Sequence, residues 1–261
     1  MSEVSETLVQ YRENGPVAVI ELARPEKLNA LTPSMLSALE SIVAGLDASR
    51  DIRAVVLSAR GKAFCVGADI NVWSALEPLD MWREWVRNGH RIFDRLAHLR
   101  QPVVAAINGP ALGGGLELAA AADIRVAEPG AVFGLPEASI ATCPGWSGTQ
   151  RLVRLIGPSQ VKFMALTAQR IDAETAHRIG LVQKVVPAGA VLDEALALAE
   201  CIADLAPVSA QLSKQLIDAA AGEGFAANME GMAGALAATT LDAGEGLASF
   251  RERRKASYQG K

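Results

Sequence analysis

Two carboxylates near a run of glycines are the residues of this sequence best suited to acid–base chemistry. Glu117 comes two residues after Gly113-Gly-Gly, and Glu137 comes directly after Phe133-Gly-Leu-Pro. Glycine lets the backbone approach a ligand closely, and the N–H groups of such a run can point outward. An acid and a base beside these donors could polarise a carbonyl group and exchange protons next to it. Taken singly, each glutamate could instead complement a helix dipole or a turn, and the glycines could serve the packing of helix on sheet.

Other catalytic motifs fit the sequence less well. Gly113-Gly-Gly lacks the Lys-Ser/Thr pair of a phosphate-binding loop and the spacing of a dinucleotide fingerprint, so neither ATP nor NAD is supported. Gly145-Trp-Ser-Gly-Thr has its second glycine one place too early for a nucleophile elbow, which makes Ser147 a weak nucleophile candidate. The histidines lie in helical patterns and are interpreted as surface or packing residues: His90, His98 and His177.

Composition and charge narrow the class of protein. The chain has 261 residues, half of them hydrophobic, and a formal net charge of -4, so a large core is possible and a nucleic-acid surface is not predicted. Arg251–Lys255 could be the solvated last turn of a helix or a small site for an anion. The acidic first residues lack a signal-peptide pattern, and no stretch of about 20 apolar residues is free of charges. We therefore expect a cytoplasmic protein without membrane or nucleic-acid partners.

The cysteines exclude two further classes of site. They are odd in number, widely spaced and without a Cys-x-x-Cys pair: Cys65, Cys143 and Cys201. Neither a disulfide framework nor a zinc site is predicted from this pattern. We expect no metal and no separate cofactor.

The elements that would hold the two glutamates follow an α/β order. Continuous apolar runs at 54–57 and 103–107, and a shorter stretch at 124–127 that is apolar except for Arg125, are typical of buried parallel strands, with helical patterns between them. The loops 61–70 and 108–117 each follow such a strand, and ligands bind beyond the carboxyl ends of strands in α/β sheets. Before them, two short β-rich runs around Glu13-Asn-Gly-Pro predict a hairpin, and Thr32-Pro33 predicts a helix start.

After about residue 187 the strand signals stop. Helical patterns cover 191–205, 207–221, 225–241 and 246–255, and the third of these is rich in Gly and Ala. Small residues let helices approach closely, which favours a lid or an oligomer contact. We therefore divide the chain into a site-bearing core, residues 1–190, and a helical C-terminal oligomerisation region, residues 191–261.

Several segments, in order along nearly the whole chain, resemble the enoyl-CoA hydratase/isomerase (crotonase) family. They are Arg24-Pro-x-x-Leu-Asn-Ala-Leu31, Ala63-Phe-x-x-Gly-Ala-Asp-Ile70, Asn108-Gly-Pro-Ala-Leu-Gly-Gly-Gly-Leu-Glu-Leu-Ala119, Ala122-Asp123, Phe133-Gly-Leu-Pro-Glu137, Pro144-Gly-x-x-Gly-Thr-Gln-Arg-Leu152 and Gly180-Leu-Val-x-x-Val-Val-Pro187. The resemblance implies the crotonase type of α/β fold, a spiral of ββα units followed by a helical C-terminal region. It is less specific for the reaction, because this fold hosts many.

The resemblance also implies roles for individual residues. The backbone N–H groups of Ala68 and Gly114 would form an oxyanion hole for the thioester oxygen, with Glu117 and Glu137 as the acid and base. The substrate would lie along a strip that continues through Asp69, Ile70 and Asn71, although Asp69 itself is expected to be structural, since it precedes a helix that it could cap. Further substrate contacts are expected at the loop of Lys27 and Leu28, which would border CoA, and at Gly145 and Trp146.

Glutamate at both positions resembles the hydratases of the family, whereas its isomerases commonly keep only one. The implied function is the reversible addition of water to a 2-enoyl-CoA, in fatty-acid or other acyl-CoA degradation. An isomerase, another enolate-forming acyl-CoA enzyme and a non-catalytic acyl-CoA-binding member are the alternatives. The partners implied are an acyl-CoA thioester and further copies of the chain, as a homotrimer or a dimer of trimers.

The sequence departs from the family pattern at Trp146, where relatives have a small residue. Trp73 and Trp146 are expected to line the pocket, whereas Trp82 and Trp85, three residues apart, are expected to pack in the core. Aromatic walls bury large flat surfaces, so such a pocket could prefer a bulky, cyclic or branched acyl group.

Overall fold

The computed structural model describes residues 8–261, except for the side chains of Trp73 and Ala226. Its strands, in chain order, are β1 (Val9–Asn14), β2 (Val17–Leu22), β3 (Ala54–Ala59), β4 (Val103–Ile107), β5 (Ala111–Leu112), β6 (Ile124–Ala127), β7 (Val132–Gly134), β8 (Arg170–Asp172) and β9 (Lys184–Val185). The larger sheet has the order β1-β2-β3-β4-β6-β9, and a smaller one has the order β5-β7-β8.

The larger sheet is parallel apart from its first pair. β1 and β2 form the predicted antiparallel hairpin, in which Val9 pairs with Leu22 and Gly15 takes a φ of 58° in the turn. β2, β3, β4, β6 and β9 then pair in parallel. β4 is buried along its whole length, as its continuous apolar run predicts. The α/β fold class is confirmed.

The helices are α1 (Pro33–Ala48), α2 (Ile70–Trp73), α3 (Pro78–Asp80), α4 (Arg87–Ala97), α5 (Gly114–Ala120), α6 (Gly148–Thr167), α7 (Ala173–Arg178), α8 (Val191–Ala203), α9 (Pro207–Ala220), α10 (Phe225–Ala238) and α11 (Leu241–Glu252). Two 3-10 turns, Pro25–Lys27 and Glu137–Ile140, and a π-helical turn, Met81–Val86, complete the set. The start of α1 is as predicted, because the Thr32 side chain accepts a hydrogen bond from the N–H of Met35 at 3.3 Å.

Helices cover both faces of the larger sheet. On one face α8 presents Val191, Ala195, Ala199 and Ala203, four residues apart, to apolar side chains of the strands. The other face packs in a larger core with α1, α4 and α5. Burial of apolar surface at about 25 cal/mol per Å² is the main term that holds these layers together.

The chain divides into two compact units, of which the first ends at Gln211 and the second is Leu212–Lys261. Helix α8 therefore belongs to the unit that contains the sheets. The predicted division at residue 190 is a functional one, between a region that carries the site and a region for assembly. It stays a prediction. In the described part of the chain, no single helix is long and apolar enough to cross a membrane, although α8 and α9 pass that test as a bent pair.

Candidate active site

The two glycine-containing loops predicted to carry the site lie side by side. The N–H of Leu112 donates to the carbonyl of Cys65 at 2.9 Å, and the N–H of Cys65 donates to Pro110 at 3.1 Å. A Cβ atom at Gly67, where φ is +100°, would lie 3.0 Å from the carbonyl of Leu112 and 3.3 Å from the nitrogen of Gly114. Glycine at this position therefore allows the close approach of the two loops.

Two backbone N–H groups, those of Ala68 and Gly114, lie beside this contact between the loops. Leu31 donates to the carbonyl of Gly67 at 2.8 Å and accepts from the N–H of Asp69 at 2.9 Å, so the intervening Ala68 is turned the other way. Gly114 is the first residue of α5, where an N–H has no partner within its own helix. Ala68 and Gly114 both line one cavity.

Glu117 lies in this cavity as a buried and anchored carboxylate. Only 2% of the residue is exposed. Its Oε1 accepts hydrogen bonds from the N–H groups of Trp146 at 2.8 Å and Gly148 at 2.9 Å. Burial raises the pKa of Glu117 above its ordinary value, while these N–H groups and the positive charge of Arg151 oppose the rise.

Glu137 faces the same cavity in a different environment. It opens the 3-10 turn Glu137–Ile140, and both of its carboxyl oxygens are buried without a hydrogen-bond partner among the described residues. Burial raises the pKa of Glu137 to about 7, with a further contribution from the nearby charge of Glu117. A buried polar group without a protein partner is rare, which favours a ligand as its partner.

The cavity has a volume of about 190 Å³. The π-helical turn Met81–Val86 supplies one wall through Met81, Trp85 and Val86, and Ile140 and Trp146 supply others. π-helical turns occur often at functional sites, because they shift which side chains share a face. The sequence does not predict this wall, since an interrupted helix has no regular apolar spacing. Among the described residues, no group of three or more His, Cys, Asp or Glu side chains could hold a metal ion.

The tryptophan predictions have mixed outcomes. Trp146 lines the cavity as predicted, and its Nε1 donates to the carbonyl of Trp85 at 3.3 Å. Trp85 is buried as predicted, with its ring centroid 5.2 Å from that of Trp146. The prediction for Trp82 is wrong: the residue is 59% exposed, because the π-helical turn breaks the helical spacing on which the prediction relied. The side chain of Trp73 lies outside the described residues.

The other predicted substrate contacts are spread around the cavity. Ile70 and Gly145 line it. Asp69 instead caps α2 by accepting from the N–H of Asn71 at 3.1 Å, and it binds Arg24 at 2.7 Å, a contact that lowers the pKa of its carboxyl. This geometry matches the structural alternative considered for Asp69.

The predicted CoA-bordering loop joins the cavity through its backbone. Leu28, in a left-handed conformation with φ of 52°, follows the turn that contains Lys27. Its carbonyl accepts from the N–H of Val66, a residue of the cavity wall, at 3.2 Å. The contacts of Lys27, Leu28 and Asn71 with a substrate stay predictions.

Comparisons with known proteins identify the family. The model of the enoyl-CoA hydratase/isomerase family matches residues 12–261. A short-chain-enoyl-CoA hydratase of Clostridium acetobutylicum is 41% identical over 80% of each chain, and a crotonyl-CoA hydratase of Syntrophomonas wolfei is 37% identical over 93% of this chain and 94% of its own. The crystal structure of an enoyl-CoA hydratase from Bacillus anthracis superposes with a TM-score of 0.81 at 35% identity, covering 97% of this chain and all of its own.

Proposed function

The chain belongs to the enoyl-CoA hydratase/isomerase family, and we propose that it adds water reversibly to a 2-enoyl-CoA thioester through Glu117 and Glu137. The curated relatives named as hydratases support the reaction. The observation that carries the roles is that two carboxyl groups face one cavity in unlike environments. Glu117 is anchored by backbone N–H groups, whereas no such groups among the described residues anchor Glu137, and burial raises the pKa of Glu137 to about 7. Unlike environments are how an enzyme assigns an acid and a base to two groups of the same kind.

In the proposed hydration, a water molecule lies between the two carboxyl groups. Glu117, as carboxylate, removes a proton from the water while the water oxygen forms a bond to C3. The electron pair of the C2–C3 double bond moves toward the thioester oxygen, giving an enolate. Glu137, as carboxylic acid, then delivers its proton to C2, and the reverse sequence is dehydration.

The N–H groups of Ala68 and Gly114 would stabilise the enolate oxygen. Loss of one such donor typically costs about 2.7–4 kcal/mol of transition-state stabilisation. Hydration leaves Glu117 protonated and Glu137 ionised, and the exchange of one proton with solvent at each group restores the starting site, so water and the two carboxyl groups account for every proton and electron pair in this scheme. The proposal therefore includes no metal and no cofactor, and CoA enters as part of the substrate.

Absorbance of the conjugated thioester of a short 2-enoyl-CoA tests the proposal. We expect rapid loss with the unaltered enzyme and a decrease in kcat of about 10²–10⁴-fold in Glu117→Gln and in Glu137→Gln. Glu13→Gln, on the exposed edge strand β1, serves as the control and should keep full activity. Full hydration by either cavity variant would remove that carboxyl group from the mechanism. Migration of the double bond without uptake of water would indicate an isomerase.

We further propose that the chain assembles as a homotrimer or a dimer of trimers. The support is the exposure of large apolar side chains on α10 and α11, which include Phe225, Leu236, Leu247 and Phe250. Exposed apolar surface of this kind marks a protein–protein contact. A cytoplasmic location is also proposed, because Cys143 and Cys201 carry exposed free thiols, which persist in a reducing compartment.

A further inference from the structure

The turn that anchors Glu117 contains a residue in an unfavourable conformation. Ser147 has φ of 70° and ψ of 6°, in the left-handed region that disfavours residues with a Cβ atom. It is flanked by the two N–H donors to Glu117, those of Trp146 and Gly148. Because both donors meet at one oxygen, the backbone conformation of Ser147 sets their convergence.

The Ser147 side chain does not serve the usual purpose of serine at a helix start. It precedes α6 but makes no capping hydrogen bond to that helix. Its Oγ instead lies 2.8 Å from Nδ1 of His90 on α4. Ser147 is 6% exposed, and the described lining of the cavity passes through Gly145 and Trp146 without it, so its hydroxyl is not presented to a substrate.

A second polar contact lies one helical turn along both helices. Asp94, four residues after His90, binds Arg151, four residues after Ser147, with 2.8 Å between Oδ1 and Nη2. The Arg151 N–H also donates to the carbonyl of Ser147 at 3.2 Å. The two contacts fix the start of α6 against α4, one at the strained residue and one a helical turn after it.

We infer that His90 and Ser147 are positioning residues, which hold the Trp146 and Gly148 N–H groups on Glu117 and so keep Glu117 ionisable as the base. The inference rests on the role proposed for Glu117. The charged groups that act on Glu117 are Arg151 on α6 and Glu137 across the cavity. Since the N–H donors favour the carboxylate form, their loss should raise the pKa of Glu117.

Glycine offers a direct test, because it adopts a positive φ without steric cost and should not need the support of His90. We expect His90→Ala and Ser147→Ala to lower kcat by about 10- to 100-fold with KM little changed. The acid limb of kcat/KM should move to higher pH in both. Ser147→Gly should stay close to the unaltered enzyme, and adding His90→Ala to it should cost almost nothing more. His177→Ala is the control, because His177 is an exposed histidine outside the lining of the cavity, with its Nδ1 3.0 Å from the carbonyl oxygen of Val182.

Two results would overturn the inference: a pH profile of His90→Ala identical to that of the unaltered enzyme, or an equal effect of His90→Ala with and without Ser147→Gly. If His90→Ala or Ser147→Ala does not fold, as judged by circular dichroism, Ser147→Gly still decides: large losses in that variant contradict the argument. Infrared titration of the carboxyl band, assigned with Glu117→Gln, measures the same shift without a substrate. The infrared titration thereby distinguishes a failure of the proposed hydratase activity from a failure of the proposed positioning role.

Discussion

At the scale of single residues, the site depends on placing two identical side chains in different environments. Glu117 is almost fully buried, yet it keeps a strong reason to ionise because two N–H groups converge on one of its oxygens. Glu137 is less buried, no such donors bond to its carboxyl oxygens among the described residues, and burial raises its pKa to about 7, so its neutral form is favoured below that pH. The proposed mechanism accordingly places the proton of the resting site on Glu137, for delivery to C2.

The raised pKa of Glu137 has a consequence for stability. The folded chain holds a proton on Glu137 between its ordinary value of 4.5 and about 7, whereas the unfolded chain has already lost it. The free energy of unfolding should therefore fall as pH rises through this window, by at most about 3 kcal/mol from this group. Urea unfolding at several pH values should show the fall, and Glu137→Gln should reduce it. Glu13→Gln should keep the full slope, and an unchanged slope in Glu137→Gln would contradict the assignment.

The sequence predicts those site residues whose type and order are unusual. It does not predict residues whose role depends on backbone conformation or on distant contacts. The pair Glu117 and Glu137, with the glycine run, could be found in the sequence because the residue types and their order are unusual. The π-helical turn that makes Met81 and Val86 cavity residues could not be found in the sequence. It is a property of backbone hydrogen bonding and not of composition. The contact of His90 with Ser147 joins residues 57 apart, and no local pattern in the sequence predicts it.

At the scale of elements, the site depends on how closely α5 approaches the Trp146 ring. A Cβ atom on Gly114 would lie 2.6 Å from Cζ3 of Trp146. The ring has little freedom to retreat, because Nε1 is bonded to Trp85 and the ring packs edge-on against Phe93 at a centroid distance of 5.3 Å. Movement of Trp146 would also displace the N–H that it donates to Glu117.

Gly114→Ala should therefore damage both stability and catalysis. We expect a loss of about 1–3 kcal/mol in the free energy of unfolding, as for other overpacked cores, and a decrease in kcat/KM of about 100-fold. Gly130→Ala is the matched control, because a Cβ atom there meets nothing within 4 Å. Denaturant unfolding and the hydration assay measure the two effects. Equal behaviour of the two alanine variants would show that Trp146 can adapt.

The elements that could be predicted are those with a long, uniform pattern. The apolar run at 103–107 coincides with β4, and the stretch at 124–127, apolar except for Arg125, coincides with β6, since strands buried on both faces carry few polar residues. β5 and β9, of two residues each, were missed because a pattern of alternation needs more residues than they contain. Their pairing depends on neighbours far away in the sequence.

At the scale of the whole molecule, the second compact unit buries few large apolar side chains and exposes many. α10 is built mainly from Ala, Gly and Met, and none of its described residues is buried. On α11, Leu247 is 60% and Phe250 84% exposed. Helices of this composition gain their stability from contacts beyond themselves, which is the physical basis for the proposed assembly.

Phe250 provides the test of that assembly. Burying a phenylalanine side chain is worth about 1.5–3 kcal/mol, and a closed trimer would repeat the contribution in every subunit. We expect the unaltered protein to sediment as a trimer or hexamer and Phe250→Asp to shift it toward monomers at low micromolar concentration. Phe250→Leu keeps the apolar contact and should sediment like the unaltered chain. If Phe250→Asp stays assembled while folding normally, the contact lies elsewhere on the molecule, and an unaltered chain that sediments as a monomer would refute the proposed assembly itself.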